Sequence, residues 1–138
     1  MARQRSQPIY PDRQDPANRR TGTLYIVGTP IGSFDDLSIR ALMTLKSVSI
    51  IAAETPLTTQ ALLDHHGISV TMTSYGPWNR DDKIAVLLHS LQQGQHVALV
   101  SDSGMPVIYD PGRLLIAAAQ QAGYPVTVIP GPSALTAA

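Results

Sequence analysis

The chain contains no cysteine and only one tryptophan and one phenylalanine among its 138 residues. Without cysteine it can form neither disulfides nor thiolate metal sites, which is typical of a reducing compartment. No apolar stretch approaches the ~20 residues that a membrane-spanning helix needs, and no apolar segment of a secretory signal follows the first arginines. We therefore expect a cytoplasmic protein without a membrane segment.

Net charge is also lacking, because ten basic residues balance ten acidic ones. Bulk electrostatics therefore indicates neither a nucleic-acid nor a membrane partner. Residues 1–21 are polar, rich in arginine and interrupted by three prolines, without a periodic apolar pattern. This composition predicts a disordered tail. A solvated leader is the favoured interpretation, and an arm that contacts RNA is the alternative.

From residue 22 onward the chain alternates between apolar runs and amphipathic segments. Apolar and β-branched runs predict five strands, at residues 23–28, 48–53, 70–75, 96–100 and 126–129. Leucine and alanine at three- and four-residue spacing predict four intervening helices, the first capped by Asp35 or Asp36 and the others ended by Gly67, Gly94 and Gly123. The pattern predicts an α/β domain with a five-stranded parallel sheet flanked by helices.

Three of the strand-to-helix loops are rich in glycine, proline and small residues: 29–33, 101–112 and 130–133. All three should emerge at the carboxyl edge of the sheet, where open α/β folds bind ligands. Glycine permits close approach of a ligand to the backbone, and the amides of helix N-termini suit an anionic group. Asp102 would accept hydrogen bonds from a hydroxyl or ammonium group. Ordinary turns are the alternative, and the first loop matches neither the dinucleotide-binding nor the P-loop motif.

Histidine and tryptophan offer weaker signals. His65 and His66 are adjacent, so they do not have the i, i+4 spacing at which two histidines of a helix share a metal ion. We predict solvated or helix C-terminal roles for all four histidines, and no metal site. Trp78 follows the third predicted strand. Covering the core is the favoured role for its ring, and stacking on a base is the alternative.

Five segments in order carry a specific resemblance: GTLYIVGTPIG at 22–32, LSIRAL at 37–42, LVSDSGMP at 99–106, DPG at 110–112 and PGPSAL at 130–135. Together they resemble the tetrapyrrole (corrin/porphyrin) methylase family, and most resemble its branch that modifies small-subunit ribosomal RNA. The resemblance covers residues 22–138. It implies an S-adenosylmethionine-dependent methyltransferase that works as a homodimer, with a first domain whose strand order is 3-2-4-1-5.

The resemblance also implies a location for the cofactor. In the family, S-adenosylmethionine lies between two domains, against the loops after strands one, four and five. By position, the implied cofactor-binding residues are Pro30, Gly32, Ser101, Asp102, Ser103, Gly104, Pro106, Pro130, Gly131, Pro132 and Ser133. The branch methylates a ribose 2′-hydroxyl of a cytidine in small-subunit ribosomal RNA, whereas other branches methylate ring carbons of tetrapyrroles.

The chain departs from the family pattern in three places. It ends soon after residue 135, where family members continue into a second domain, so we expect the C-terminal domain and its wall of the cleft to be absent. The sequence would then be either a fragment or a shortened protein that cannot close the site alone. The branch has Ala-Glu-Asp-Thr-Arg where this chain has AETPL at 53–57, and His-Glu-His-Asn-Glu where it has GPWNR at 76–80. Glu54 is the carboxylate that remains near this edge. Its role would be either that of a catalytic base or that of a cap for the following helix. These losses keep open a second hypothesis, a catalytically degenerate module for binding or dimerisation.

Overall fold

A computed structural model describes residues 21–30, 34–101 and 112–130. Five strands and four helices alternate along this part of the chain, as the apolar pattern predicts. The strands are β1 (Leu24–Gly28), β2 (Ile50–Ala53), β3 (Thr71–Ser74), β4 (Val97–Ser101) and β5 (Val126–Ile129). The helices are α1 (Ile39–Ser47), α2 (Pro56–His65), α3 (Arg80–Gln92) and α4 (Gly112–Gln121). The tail predicted at residues 1–21 lies outside the described residues, apart from its last residue.

The five strands form one parallel sheet in the order β3-β2-β4-β1-β5. This order confirms both the predicted α/β class and the strand order that the resemblance implies. From β1 the chain moves across the sheet to β2 and β3, and it then returns to β4 and β5. Because parallel crossovers are right-handed, this reversal should move the later helices to the opposite face of the sheet.

Two separate hydrophobic cores, one on each face, confirm that arrangement. The first contains Ala41 and Leu45 of α1 with Leu62 and Leu63 of α2. The second core is built by the other two helices, and its helical members are Leu87, Leu91, Leu115 and Ala119. Helices α1 and α2 therefore cover one face of the sheet, and α3 and α4 cover the other.

Alternation along the central strands supplies side chains to both cores. In β4, Val97 and Leu99 belong to the core under α3 and α4, whereas Ala98 and Val100 belong to the core under α1 and α2. All four side chains are at most 3% exposed. A strand buried on both faces has the nearly continuous apolar sequence of a central parallel strand.

The start of α1 differs from the prediction. Ser38 is the N-cap, and its Oγ accepts a hydrogen bond from the backbone N–H of Ala41 at 3.1 Å. Asp35 and Asp36 instead form a short 3-10 helix, Phe34–Asp36, before the cap. The predicted stops after α2 and α3 are confirmed, since Gly67 and Gly94 have φ values of 67° and 86°, where a side chain would be strained.

Candidate functional site

The carboxyl ends of β4, β1 and β5 lie side by side. Gly28 at the end of β1 pairs with Ser101 at the end of β4, and Val27 pairs with Ile129 of β5. Neighbouring strands are about 4.8 Å apart, so the three strand ends span roughly 10 Å. The three loops that the sequence singles out therefore leave the sheet from adjacent strands, at the same level.

The topology makes the surroundings of β4 the candidate ligand-binding part of this edge. The chain leaves β1 and β2 toward the face that carries α1 and α2, but it leaves β4 toward the face that carries α4. Adjacent loops that diverge to opposite faces leave a crevice between them, and open α/β sheets bind ligands there. Both neighbours of β4 send the chain to the opposite face, so the strand order predicts one crevice between β4 and β1 and a second between β4 and β2.

Four of the predicted site residues fall within the described ranges. Pro30 follows β1, Ser101 ends β4 and Pro130 follows β5, so these three positions share the β4–β1–β5 part of the edge. Glu54 follows β2 and is exposed, next to β4 on its other side. The remaining predicted cofactor residues lie outside the described residues: Gly32, Asp102, Ser103, Gly104, Pro106, Gly131, Pro132 and Ser133.

Thr29 is a further candidate site residue, one that the sequence pattern did not single out. It directly follows β1, beside the end of β4, and is only 3% exposed. The available signal was its position between the apolar strand and Pro30, where a polar residue at a strand end lies at the ligand edge. A buried threonine at this point is a polar residue at the carboxyl edge of the sheet, beside the end of β4.

The segment after β1 is held by the two histidines at the end of α2. His66 Nε2 donates a hydrogen bond to the carbonyl oxygen of Phe34 at 2.7 Å, and His65 Nε2 donates to Asp35 Oδ1 at 2.7 Å. The His65 ring also packs against the Phe34 ring, with centroids 5.7 Å apart. The predicted helix C-terminal location is confirmed for both histidines, but their rings are bound to another segment rather than simply solvated.

The same prediction is wrong for His96. Its Nδ1 accepts a hydrogen bond from the backbone N–H of Thr23 at 2.9 Å, and its ring lies edge-on to Tyr25. His96 therefore ties the start of β1 to the start of β4. His89 lies exposed in the last turn of α3, as predicted.

At the far side of the edge, the loop after β3 presents an aromatic ring to solvent. Trp78 is 69% exposed, so the prediction that it covers the core is wrong. A Cβ added to Gly76 would overlap atoms of the six-membered ring of Trp78, which means that this ring rests directly on Gly76. The ring covers backbone, and the aromatic residue of this segment that enters the core under α3 and α4 is Tyr75, which is fully buried.

Two classes of site find no support among the described residues. No group of three His, Asp or Glu side chains in these ranges is arranged to hold a metal ion. No helix in the described part of the chain is long and apolar enough to cross a membrane. The chemistry that the described edge offers is that of backbone amides, small polar side chains and the carboxylate of Glu54.

These features define a class of protein: a parallel α/β domain whose candidate ligand site lies at the carboxyl end of its central strand. Comparison with known proteins shows which family of this class the chain resembles. Residues 23–138 match the family model described as Tetrapyrrole (Corrin/Porphyrin) Methylases. The chain belongs to this family.

Curated relatives share the name "Ribosomal RNA small subunit methyltransferase I". The relative from Thermotoga maritima is 46% identical over 117 residues, which cover 85% of this chain and 53% of that protein. The relative from Synechocystis is 48% identical over 117 residues, covering 85% of this chain and 42% of the relative. The relative from Escherichia coli O157:H7 is 45% identical over 118 residues, covering 86% and 41%. The chain thus spans about half the length of the curated relatives it matches.

Solved structures of the family share the fold. A cobalt precorrin-4 methyltransferase, described as a cobalamin biosynthetic enzyme, superposes with a TM-score of 0.68 at 19% identity, over 83% of this chain and 48% of that chain. A uroporphyrin-III-C-methyltransferase from Thermus thermophilus superposes with a TM-score of 0.61 at 23% identity, over 80% and 47%. At these identities the likeness establishes the fold of this chain.

Proposed function

We propose that this chain is the cofactor-binding first domain of an S-adenosylmethionine-dependent methyltransferase that acts on a ribose 2′-hydroxyl of small-subunit ribosomal RNA. The observation that carries the proposal is the 45–48% identity to relatives named for that RNA, over more than four fifths of this chain. Such a substrate is consistent with a cytoplasmic protein. A homodimer, as the family resemblance implies, is part of the same proposal.

The described residues fit this cofactor. S-adenosylmethionine supplies an electrophilic methyl group on a sulfonium centre and carries a carboxylate, an ammonium and ribose hydroxyls. Thr29 is buried at this edge, the backbone of β4 ends beside it, and Pro30 and Pro130 stand where the flanking loops begin. Asp102, directly after β4, would accept hydrogen bonds from the hydroxyl or ammonium groups.

Glu54 is the residue proposed to act on the acceptor. Attack by a hydroxyl is assisted when a carboxylate accepts the hydroxyl proton. Glu54 follows β2, whose last residue pairs with Val100 of β4, so the carboxylate flanks the crevice on the side away from β1. Its part is to hold the acceptor hydroxyl by a hydrogen bond and to take up its proton.

Cofactor binding can be tested by isothermal titration of the 138-residue chain with S-adenosylhomocysteine, the demethylated product. We expect saturable binding that Asp102→Ala weakens by about 10- to 100-fold, the loss of a hydrogen bond to a charged group. Asp82→Ala, which removes an exposed carboxylate on α3, is the matched control and should bind normally. A folded chain that takes up no S-adenosylhomocysteine would contradict the proposal.

The substrate requires a separate assay. Methyl transfer from radiolabelled S-adenosylmethionine to small-subunit ribosomal RNA, followed by nucleoside analysis, should give 2′-O-methylcytidine. Transfer to a tetrapyrrole ring would instead support the function named for the structural relatives.

The second candidate function is a degenerate binding or dimerisation module, which is favoured by the loops at 53–57 and 76–80, because they depart from the family pattern. Cofactor binding or dimerisation without any turnover would support it.

A further inference from the structure

The indole of Trp78 is a large aromatic surface with no role in either core. It is the only tryptophan of the chain, and 69% of it is exposed. Exposed tryptophan is costly in free energy, because a large apolar surface stays in contact with water. Tryptophans that remain outside a core are enriched where another molecule binds. The surroundings of this ring therefore need a functional explanation.

The loop that carries Trp78 is held from both sides. Asn79 Oδ1 accepts a hydrogen bond from the backbone N–H of Gly76 at 2.9 Å, and Asn79 Nδ2 donates to Ser74 Oγ at 3.2 Å. The backbone N–H of Asn79 also donates to the carbonyl oxygen of Gly76 at 3.1 Å. With its ring resting on Gly76, Trp78 is presented in a defined orientation, so little ordering entropy is lost when a planar group stacks on it.

Strand order places this ring on the acceptor side of the proposed active site. The loop leaves from the end of β3, separated from β4 by β2, whose end carries Glu54. Two inter-strand steps amount to roughly 10 Å. The proposed cofactor loops leave from β4, β1 and β5, so Trp78 and Glu54 lie together on the other side of β4.

The charges beside the ring cancel. Arg80 and Lys83 are offset by Asp81 and Asp82, Arg80 Nε lies 3.5 Å from Asp81 Oδ1, and Lys83 Nζ donates to Thr73 Oγ1 at 2.6 Å. A neutral neighbourhood gives little long-range attraction for phosphates. Stacking is therefore the interaction that this surface offers, and a nucleobase is the planar group that an RNA substrate brings to it.

We infer that Trp78 is a stacking platform for a base of single-stranded RNA at or next to the methyl-accepting nucleotide. The inference rests on the proposed function and adds a substrate-recognition residue to it. Acceptor RNA with unpaired bases fits this role, because only an unstacked base exposes a face to the indole.

The test measures RNA binding separately from cofactor binding. Dye-labelled oligocytidylate is titrated with the 138-residue chain and followed by fluorescence anisotropy, and unlabelled oligocytidylate is followed by quenching of the Trp78 emission. An abasic ribose-phosphate oligomer of equal length is the ligand control. We expect Trp78→Ala to weaken oligocytidylate binding by about 5- to 150-fold, with a fold-change that depends little on salt. Trp78→Phe should retain most of the affinity.

Two further variants separate stacking from general damage. Gly76→Ala adds a Cβ that displaces the indole and should weaken oligocytidylate binding while the tryptophan is kept. Val86→Ala removes an exposed apolar side chain from α3 (52% exposed) and should change nothing. Circular dichroism of each variant verifies the fold.

The possible results have distinct meanings. Three results would each overturn the inference. The wild type and Trp78→Ala could bind oligocytidylate equally well, or neither protein could bind it. The wild type could also bind the abasic oligomer as tightly as oligocytidylate. If calorimetry then still shows S-adenosylhomocysteine binding, the proposed function survives alone. A Trp78→Ala chain that loses self-association but not RNA binding would assign the ring to a protein interface instead, which also overturns the inference.

Discussion

Asn79 should determine the local stability of the loop that presents Trp78. Replacement by alanine removes two well-formed hydrogen bonds, to the Gly76 amide at 2.9 Å and to Ser74 Oγ at 3.2 Å. The third contact, to the Ser74 carbonyl oxygen at 3.4 Å, is too long to count fully. Each bond contributes about 0.5–1.5 kcal/mol net. Because the site is half-buried and water replaces part of the loss, we expect Asn79→Ala to lower the free energy of unfolding by about 1–2 kcal/mol.

Urea denaturation can measure this loss with two probes. Far-UV circular dichroism reports global unfolding, and the emission of Trp78 reports the loop itself. For an m-value of about 2 kcal/mol per M, the expected loss moves the midpoint down by about 0.5–1 M. Fluorescence should show at least as large a shift as circular dichroism, because the removed bonds lie beside the indole.

Two variants make the prediction specific to these hydrogen bonds. Asn79→Asp keeps the acceptor for the Gly76 amide but loses the donor to Ser74, so its midpoint should fall between wild type and Asn79→Ala. Gln92→Ala removes an exposed polar side chain from the last turn of α3, the helix that Asn79 precedes. Its free energy of unfolding should stay within about 0.5 kcal/mol of the wild-type value. Coinciding midpoints for Asn79→Ala and Gln92→Ala would refute the reasoning.

Three further substitutions probe the framework behind the edge. Ser38→Ala removes the N-cap of α1 and should cost about 1 kcal/mol, seen as a lower melting temperature; a melting temperature equal to wild type would contradict the assigned cap. Leu99→Ala, at 1% exposure, should lower unfolding free energy by about 2–5 kcal/mol in urea, whereas Leu57→Ala, at 88% exposure, should stay within about 0.5 kcal/mol. His66→Ala removes the Nε2–H donor from the Phe34 carbonyl oxygen and leaves it the longer bond from the Leu37 N–H at 3.4 Å. Hydrogen exchange at residues 34–37 should become faster, and an unchanged exchange rate would contradict the prediction.

The local pattern of apolar residues was sufficient to predict the helices and strands, but not every residue at which they begin. The apolar pattern predicts the second strand from residue 48, because Val48 is apolar, yet β2 begins at Ile50 and Val48 is 5% exposed just before it. Val48 is buried as the residue that follows α1, and a pattern of apolar residues cannot distinguish that burial from a strand. The strand order likewise came from the family resemblance, because periodicity gives no information on which strands are neighbours.

The misassigned cap of α1 has a tertiary cause. Asp35, Asp36 and Ser38 are all good N-cap residues, so the sequence offers several equivalent starts within four positions. The hydrogen bond between Asp35 and His65, thirty residues away, involves Asp35 in a different contact. Ser38 is then the residue whose oxygen reaches the first turn of the helix. Long-range contacts of this kind are invisible to a window of neighbouring residues.

Trp78 shows the same limit at the candidate site. The Gly76-Pro77 pair predicted a loop after β3 correctly, but the direction of the ring depends on the hydrogen bonds of Asn79 and on the missing side chain at Gly76. An aromatic residue after a strand is compatible with burial until those contacts are known. The sequence could locate the loop, and only the three-dimensional arrangement could show which surface the indole faces.

The strand order also explains how one loop could serve both the cofactor and the acceptor. Strand β4 lies between β1, on the side of the proposed cofactor loops, and β2, on the side of Glu54. Because the chain leaves β1 and β2 toward one face and leaves β4 toward the other, the strand order predicts a crevice on each side of β4. Strand β4 ends at Ser101, between these two predicted positions. In the proposed reaction a methyl group passes from cofactor to acceptor over a short distance, and β4, which borders both predicted crevices, is where the two ligands would meet.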